Sequence, residues 1–361
     1  MKCLNCQTDN TEIARFCNQC GESLMEALPK PPHTEENPIP RIAQTVYTPF
    51  AMLAGMQLDL FTPLKDGPMS SEQIADTISV SPVKLKPLLY ALVMAGFLNM
   101  EGELFTNTDA ANRFLVRGTP SCMVDQHELY SDLWSAVLKT AESIRTGVPQ
   151  AKYDYSAMSE DKLEQFLRGE HPEVIEAGRD LLARFDFSSY RTLIDVGGGS
   201  GGLAIAVTEA CPHIQATVVD LPAVIPFTQR FIEGAGVRDR VQVIAVDVIH
   251  EPIPGYYDVA VLRSLLQVLS PDDARCVLKN VSNVLNPGGT VYIGGSGIID
   301  DSRISPPEKV GMNLVFVNLY DEGQAYTEQE HKDWLSEAGF VSFERIKLPD
   351  GGSFITARKP G

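Results

Sequence analysis

Residues 193–202 read LIDVGGGSGG, an apolar run that breaks into a cluster of glycines. Leu193, Ile194 and Val196 predict a buried strand, and the glycines predict a tight turn whose backbone can approach a ligand closely. Gly197, Gly199 and Gly202 satisfy G-x-G-x-x-G, the pattern of a strand-to-helix turn beneath a nucleotide. Around this turn the chain alternates. TLIDVG, ATVVDL, VQVIAV, YDVAVL and TVYIGG read as strands, with LAIAVTEA, VIPFTQRFIEGAG and DARCVLKNVSNVL as helices between them. That alternation predicts an α/β, Rossmann-like, doubly wound sheet.

The glycine pattern suits NAD as well as S-adenosylmethionine (SAM), so neighbouring residues must choose. Asp220 closes ATVVD, where a carboxylate can take both ribose hydroxyls of either ligand. Asp195 stands just before the first glycine, a place that suits a cationic ligand better than a pyrophosphate. Asp247 in AVDV can accept from an adenine amino group. The chain after the fourth strand lacks the paired His or Lys of a dehydrogenase. SAM is the expected cofactor.

The 361 residues carry a formal charge of −17, which argues against a nucleic-acid surface because phosphate binding needs a basic footprint. No apolar run reaches a membrane span, and the start lacks a signal peptide's apolar core, so a cytoplasmic protein without a membrane partner is expected. Cys3 and Cys6, then Cys17 and Cys20, form two CxxC pairs. Four thiolates at that spacing predict a structural zinc ribbon over residues 1–24, with no open coordination position for catalysis. Proline-rich residues 25–40 read as a linker, and the ribbon is expected to serve a protein partner. Residues 41–118 carry a helix, a helix–turn–helix and a two-stranded wing turning at Gly102, together a winged-helix domain. Its would-be recognition helix offers only Lys84 and Lys86 among apolar residues, so it is expected to bury itself against a second copy in a homodimer. Residues 119–361 form the cofactor domain, with a helical segment at 119–190 covering the pocket.

The series DVGGGSGG, VVDLP, VDV, DVAVLR and NPGGTVYI, behind a winged helix and a helical middle, resembles the caffeic-acid/acetylserotonin-type SAM-dependent methyltransferases over residues 41–358. The resemblance implies that Gly197 and Gly199 meet the methionine part of SAM, Asp220 and Leu221 the ribose, and Asp247 and Val248 the adenine. It places Arg263 where the family keeps a basic residue for the cofactor's carboxylate.

The family's His-Asp-Trp triplet, whose His is the general base, aligns with Gln267, Val268 and Leu269. The two carboxylates that orient that His align with Gly295 and Ala325. Loss of the whole base apparatus leaves several readings open. The acceptor has no proton to lose, it arrives ionised, another residue such as His127 or His171 is the base, or SAM is bound without transfer by a regulator. Arg168 and His171 share a helix face, and Tyr130, Trp134 and Tyr320 could face a sulfonium. Asn313 and Asn318 are expected to line the same cavity. On this basis the preferred acceptor is a small carboxylate-bearing thioether or thiol, similar to the acceptors of methylthiohydroxybutyrate S-methyltransferases. O- or C-methylation of an aromatic, polyketide or tetrapyrrole is the alternative.

Overall fold

The computed structural model describes residues 2, 3, 6–9, 19, 20, 37–348 and 351–361. It divides into two compact units, residues 1–50 and 51–361. In the first, Lys2 and Asp9 form an isolated antiparallel bridge. The expected linker ends earlier than its prolines suggest. Asn37 caps a helix over Pro38–Gln44, because a proline at the first helical position lacks only an N–H that would go unpaired anyway. Residues 25–36, like Cys17, lie outside the described residues.

The second unit opens with a helical layer around Met56, Phe61, Leu89 and Phe105. Helix Ser71–Thr77 starts at a capping box between Ser70 and Gln73. Helix Pro82–Met94 buries Leu85, Leu89 and Leu92 and leaves Val83 and Met94 in solvent. Strands Leu98–Glu101 and Leu104–Asn107 pair antiparallel around Gly102, with Met69–Ser70 as a third strand. Beyond the second strand the chain turns helical over Asp109–Phe114, capped by Thr108.

The main sheet has seven strands: β1 (Thr192–Val196), β2 (Gln215–Asp220), β3 (Val241–Ala245), β4 (Tyr257–Arg263), β5 (Leu285–Gly295), β6 (Val341–Lys347) and β7 (Ser353–Arg358). Their order is β6-β7-β5-β4-β1-β2-β3. β1 to β5 run parallel, while β7 is antiparallel to both β5 and β6. Chain order reverses at β1, which pairs with β2 on one side and β4 on the other, so a crevice opens beyond their carboxyl ends. Helix Glu160–Arg184, capped by Ser159, packs against helix Gly202–Ala210 and roofs that crevice. Among the described residues no helix is long and apolar enough to cross a membrane.

Candidate active site

At the crevice lies a cavity of about 630 Å³. Its floor is the glycine turn. Gly197, Gly199 and Gly201 adopt φ values of +65°, +55° and +73°, which side-chain-bearing residues adopt only with strain. Gly198 has no room for a Cβ, since Asp195 and Val218 would each stand 2.7 Å away. The turn is pinned to β2, for Gly199 N–H donates to Asp220 Oδ2 and Leu221 N–H to Oδ1, both at 2.7 Å. Burial nonetheless pushes Asp220 up to about 6. Burial, then the charge of Asp220, raises Asp195 to about 7, and its Oδ2 is buried without a hydrogen-bond partner. A carboxyl so placed gains from a cation arriving above it.

Gly197, Gly199, Asp220, Leu221, Asp247, Val248 and Arg263 all line this cavity. Asp247 accepts from His250 Nδ1 at 2.9 Å and from the Ile249 N–H at 3.1 Å. Arg263, at the end of β4, is held by two carboxylates of the roofing helix: Glu170 at 3.4 Å and Glu173 at 3.1 Å.

The residues expected to carry chemistry lie elsewhere. Gln267 sits in a short turn, Leu266–Val268, with its side chain packed where a Cβ on Gly297 would meet it at 2.3 Å. Leu265, Val268 and Leu269 face the cavity in its place. Arg168 is exposed and paired with Glu164 at 3.0 Å, and Arg179 is paired with Glu176. His171 stacks on Phe231, and its Nδ1 meets Ser200 Oγ, within the glycine turn, at 2.8 Å. Burial lowers it to about 4, so it is neutral near pH 7. His127 is half-buried and outside the cavity lining. Tyr130 stacks on Trp134 and donates to Gln126 Oε1 at 2.9 Å. Asn318 is fully buried and brackets Ser143, Thr140 and Leu314, while Asn313 accepts from the Ala325 N–H.

The far wall is built mostly from residues that the sequence did not single out. Tyr153, Tyr155 and Phe166 pack together with ring centroids 5.4–5.9 Å apart, and the Tyr155 hydroxyl meets the Tyr320 hydroxyl at 2.9 Å. Burial raises Tyr320 to about 12 and Tyr155 well above the usual range, so both stay neutral. Lys152 and Asp321 pair with each other among the lining residues. Only Tyr320 carried a signal, as an aromatic in a pocket-facing segment. The loop at 151–156 has no periodicity to announce it.

Comparison with known proteins agrees with this geometry. Tetracenomycin polyketide synthesis 8-O-methyl transferase TcmO of Streptomyces glaucescens is 28% identical over 91% of this chain and 99% of its own. The N,N-dimethyltransferase OxyT of Streptomyces rimosus is 26% identical over 93% of this chain and 100% of its own. The structure of human N-acetylserotonin methyltransferase in complex with SAM superposes with a TM-score of 0.76, covering 91% of this chain and 99% of that one at 22% identity. The model of an O-methyltransferase domain matches residues 130–341, and that of an O-methyltransferase dimerisation domain matches residues 41–117. The chain therefore belongs to the O-methyltransferase family, as a SAM-dependent methyltransferase with an N-terminal dimerisation domain.

Proposed function

We propose that this protein moves the SAM methyl group to a hydroxyl or amine on a planar aromatic metabolite of polyketide type, without a histidine base. The observation that carries this reading is the wall of Tyr153, Tyr155, Phe166 and Tyr320 facing the glycine turn across one cavity. Aromatic walls bind aromatic rings by stacked and edge-to-face contacts, and a ring held against the methyl donor gains rate through orientation alone. SAM would lie over Gly197 and Gly199, with its ribose on Asp220 and Leu221 and its adenine near Asp247 and Val248. Arg263 would meet its carboxylate. The names of the O- and N,N-methylating relatives support the same acceptor class.

The carboxylate-bearing thioether expected from the sequence has less support. The groups that were to hold it, Arg168 and His171, do not line the cavity: Arg168 is paired with Glu164, and His171 is neutral and bonded to Ser200. Methyl-labelled SAM offered with hydroxy- and amino-naphthalenes, thiols and thioethers separates the readings. Label on the naphthalenes is expected, and label on thioethers alone overturns the proposal.

The N-terminal cysteines are proposed to hold one structural zinc. The sulfurs of Cys3, Cys6 and Cys20 converge within 4.8 Å of one another, and Cys17 supplies the fourth thiolate by its spacing. Metal analysis of a Cys3→Ser, Cys6→Ser variant should show zinc lost from each chain with methyl transfer retained. Zinc content equal to the wild type would contradict this.

A further inference from the structure

The cavity presents carboxylates from several elements, and most are already committed. Asp220 accepts from two backbone N–H groups of the glycine turn, and Asp195 lies beneath that turn. Asp247 is tied to His250, and Asp321 to Lys152. Asp154 Oδ1 caps its own loop by accepting from the N–H groups of Ser156 and Ala157. Glu170 differs. It projects from the roofing helix into the lining, with about a quarter of its side chain still accessible. One oxygen rests against Arg263, on the cofactor side. Its negative charge also bears on the hydroxyls of Tyr153, Tyr155 and Tyr320, the acceptor side. It stands where the two halves of the cavity meet.

Resting on the aromatic-acceptor reading above, we propose that Glu170 is the catalytic proton acceptor, supplying the base that position 267 lacks. The acceptor's O–H or N–H proton passes to a Glu170 carboxylate oxygen as the acceptor heteroatom bonds to the methyl carbon. The sulfur–methyl bond breaks with its electron pair left on sulfur, giving neutral S-adenosylhomocysteine. The positive charge of the sulfonium thus ends as the proton on Glu170, which then passes to solvent. Burial and the neighbouring Glu173 raise the affinity of Glu170 for a proton, with Arg263 opposing them. A base raised in this way is better matched to a weakly acidic acceptor than an ordinary carboxylate is.

The test uses the full-length protein, methyl-labelled SAM, and dihydroxynaphthalene and aminonaphthalene as probes. Glu170→Gln should lower kcat roughly 100-fold or more, the typical loss of a general base. Its affinity for SAM, read by calorimetry, should stay near the wild-type value. Glu170→Asp should recover part of the rate, and the acid limb of the wild-type pH–rate profile should vanish in Glu170→Gln. Glu173→Gln removes the other carboxylate on Arg263 and the charge beside Glu170 while leaving the proposed base in place, so it should lose far less rate than Glu170→Gln. A Glu170→Gln enzyme with wild-type kcat overturns the proposal. Equal losses in both variants overturn it too, since Glu170 would then act only by holding Arg263. A wild-type protein that binds SAM and methylates neither probe overturns the aromatic reading and the base with it, a result distinct from either comparison of variants.

Discussion

At the residue scale, the cofactor floor rests on Gly198 and the two aspartates around it. A methyl at position 198 would collide with the Asp195 carboxyl and Val218, both fixed in the sheet, so the turn itself must move. Gly198→Ala is expected to weaken SAM binding by roughly tenfold or more, about 1.4 kcal/mol, in a calorimetric titration. Wild-type affinity would show that the turn is slack. The raised carboxyls set the pH response. With Asp195 held at about 7 and Asp220 at about 6, the unliganded protein keeps protons that an unfolded chain releases near 4. Their effect on stability therefore favours the fold at low pH and is lost as pH rises through that window. A cationic ligand favours the ionised carboxylates, so SAM should bind more tightly at about pH 8 than at about pH 5.5, with protons released on binding at the lower pH. Calorimetry in two buffers of different ionisation enthalpy reads that release directly. The glycine spacing was legible in sequence because a turn is a local device. That Asp195 is a buried acid with one unpartnered oxygen was not, since its burial comes from the strands on either side.

At the element scale, the roofing helix Glu160–Arg184 decides the shape of the cavity. Gly178 lets it approach helix Gly202–Ala210, for a Cβ there would stand 2.8 Å from that of Ala206 and 3.2 Å from the Leu203 carbonyl oxygen. Gly178→Leu should cost roughly 1–3 kcal/mol through overpacking, read as a lowered denaturation midpoint. It should also weaken acceptor binding, because Phe166 and Glu170 move with the helix. Ser270→Ala is the contrast. Ser270 Oγ caps helix Pro271–Val284 by accepting from the Asp273 N–H at 3.1 Å, so its loss should cost about 1 kcal/mol and leave SAM affinity alone. The long helix was readable from its apolar period, and the parallel strands from their apolar runs. β6 was missed because Glu344, Arg345 and Lys347 interrupt its apolar residues and most of it is exposed. Its partner β7 is mostly buried, yet lies among polar termini that gave no run to read. The aromatic wall was missed for a related reason. Tyr153 and Tyr155 come from a loop, Phe166 from a helix and Tyr320 from a helix end, and only tertiary packing unites them.

At the scale of the whole molecule, the dimerisation domain and the cofactor domain divide the labour between assembly and chemistry. Helix Pro82–Met94 leaves Val83 at 79% and Met94 at 88% exposure, a large apolar surface for one chain to keep in water. Replacing both with aspartate should raise the monomer fraction in sedimentation without unfolding the chain, and an unchanged dimer would place the interface elsewhere. The sequence reading put the missing base at position 267 and made that position the centre of the chemistry, but the structure draws attention elsewhere. Gln267 is packed against Gly297, away from the cavity, so the site is built around its aromatic wall and roofing helix. Chemistry should therefore be nearly indifferent to the side chain at 267. The most direct measurement is the single-turnover rate of methyl transfer from bound SAM to a hydroxynaphthalene in the wild type and in Gln267→Ala. The account predicts rates within about threefold of each other, since no transition-state contact is removed. A loss of roughly 100-fold or more would place Gln267 in the reaction and contradict it.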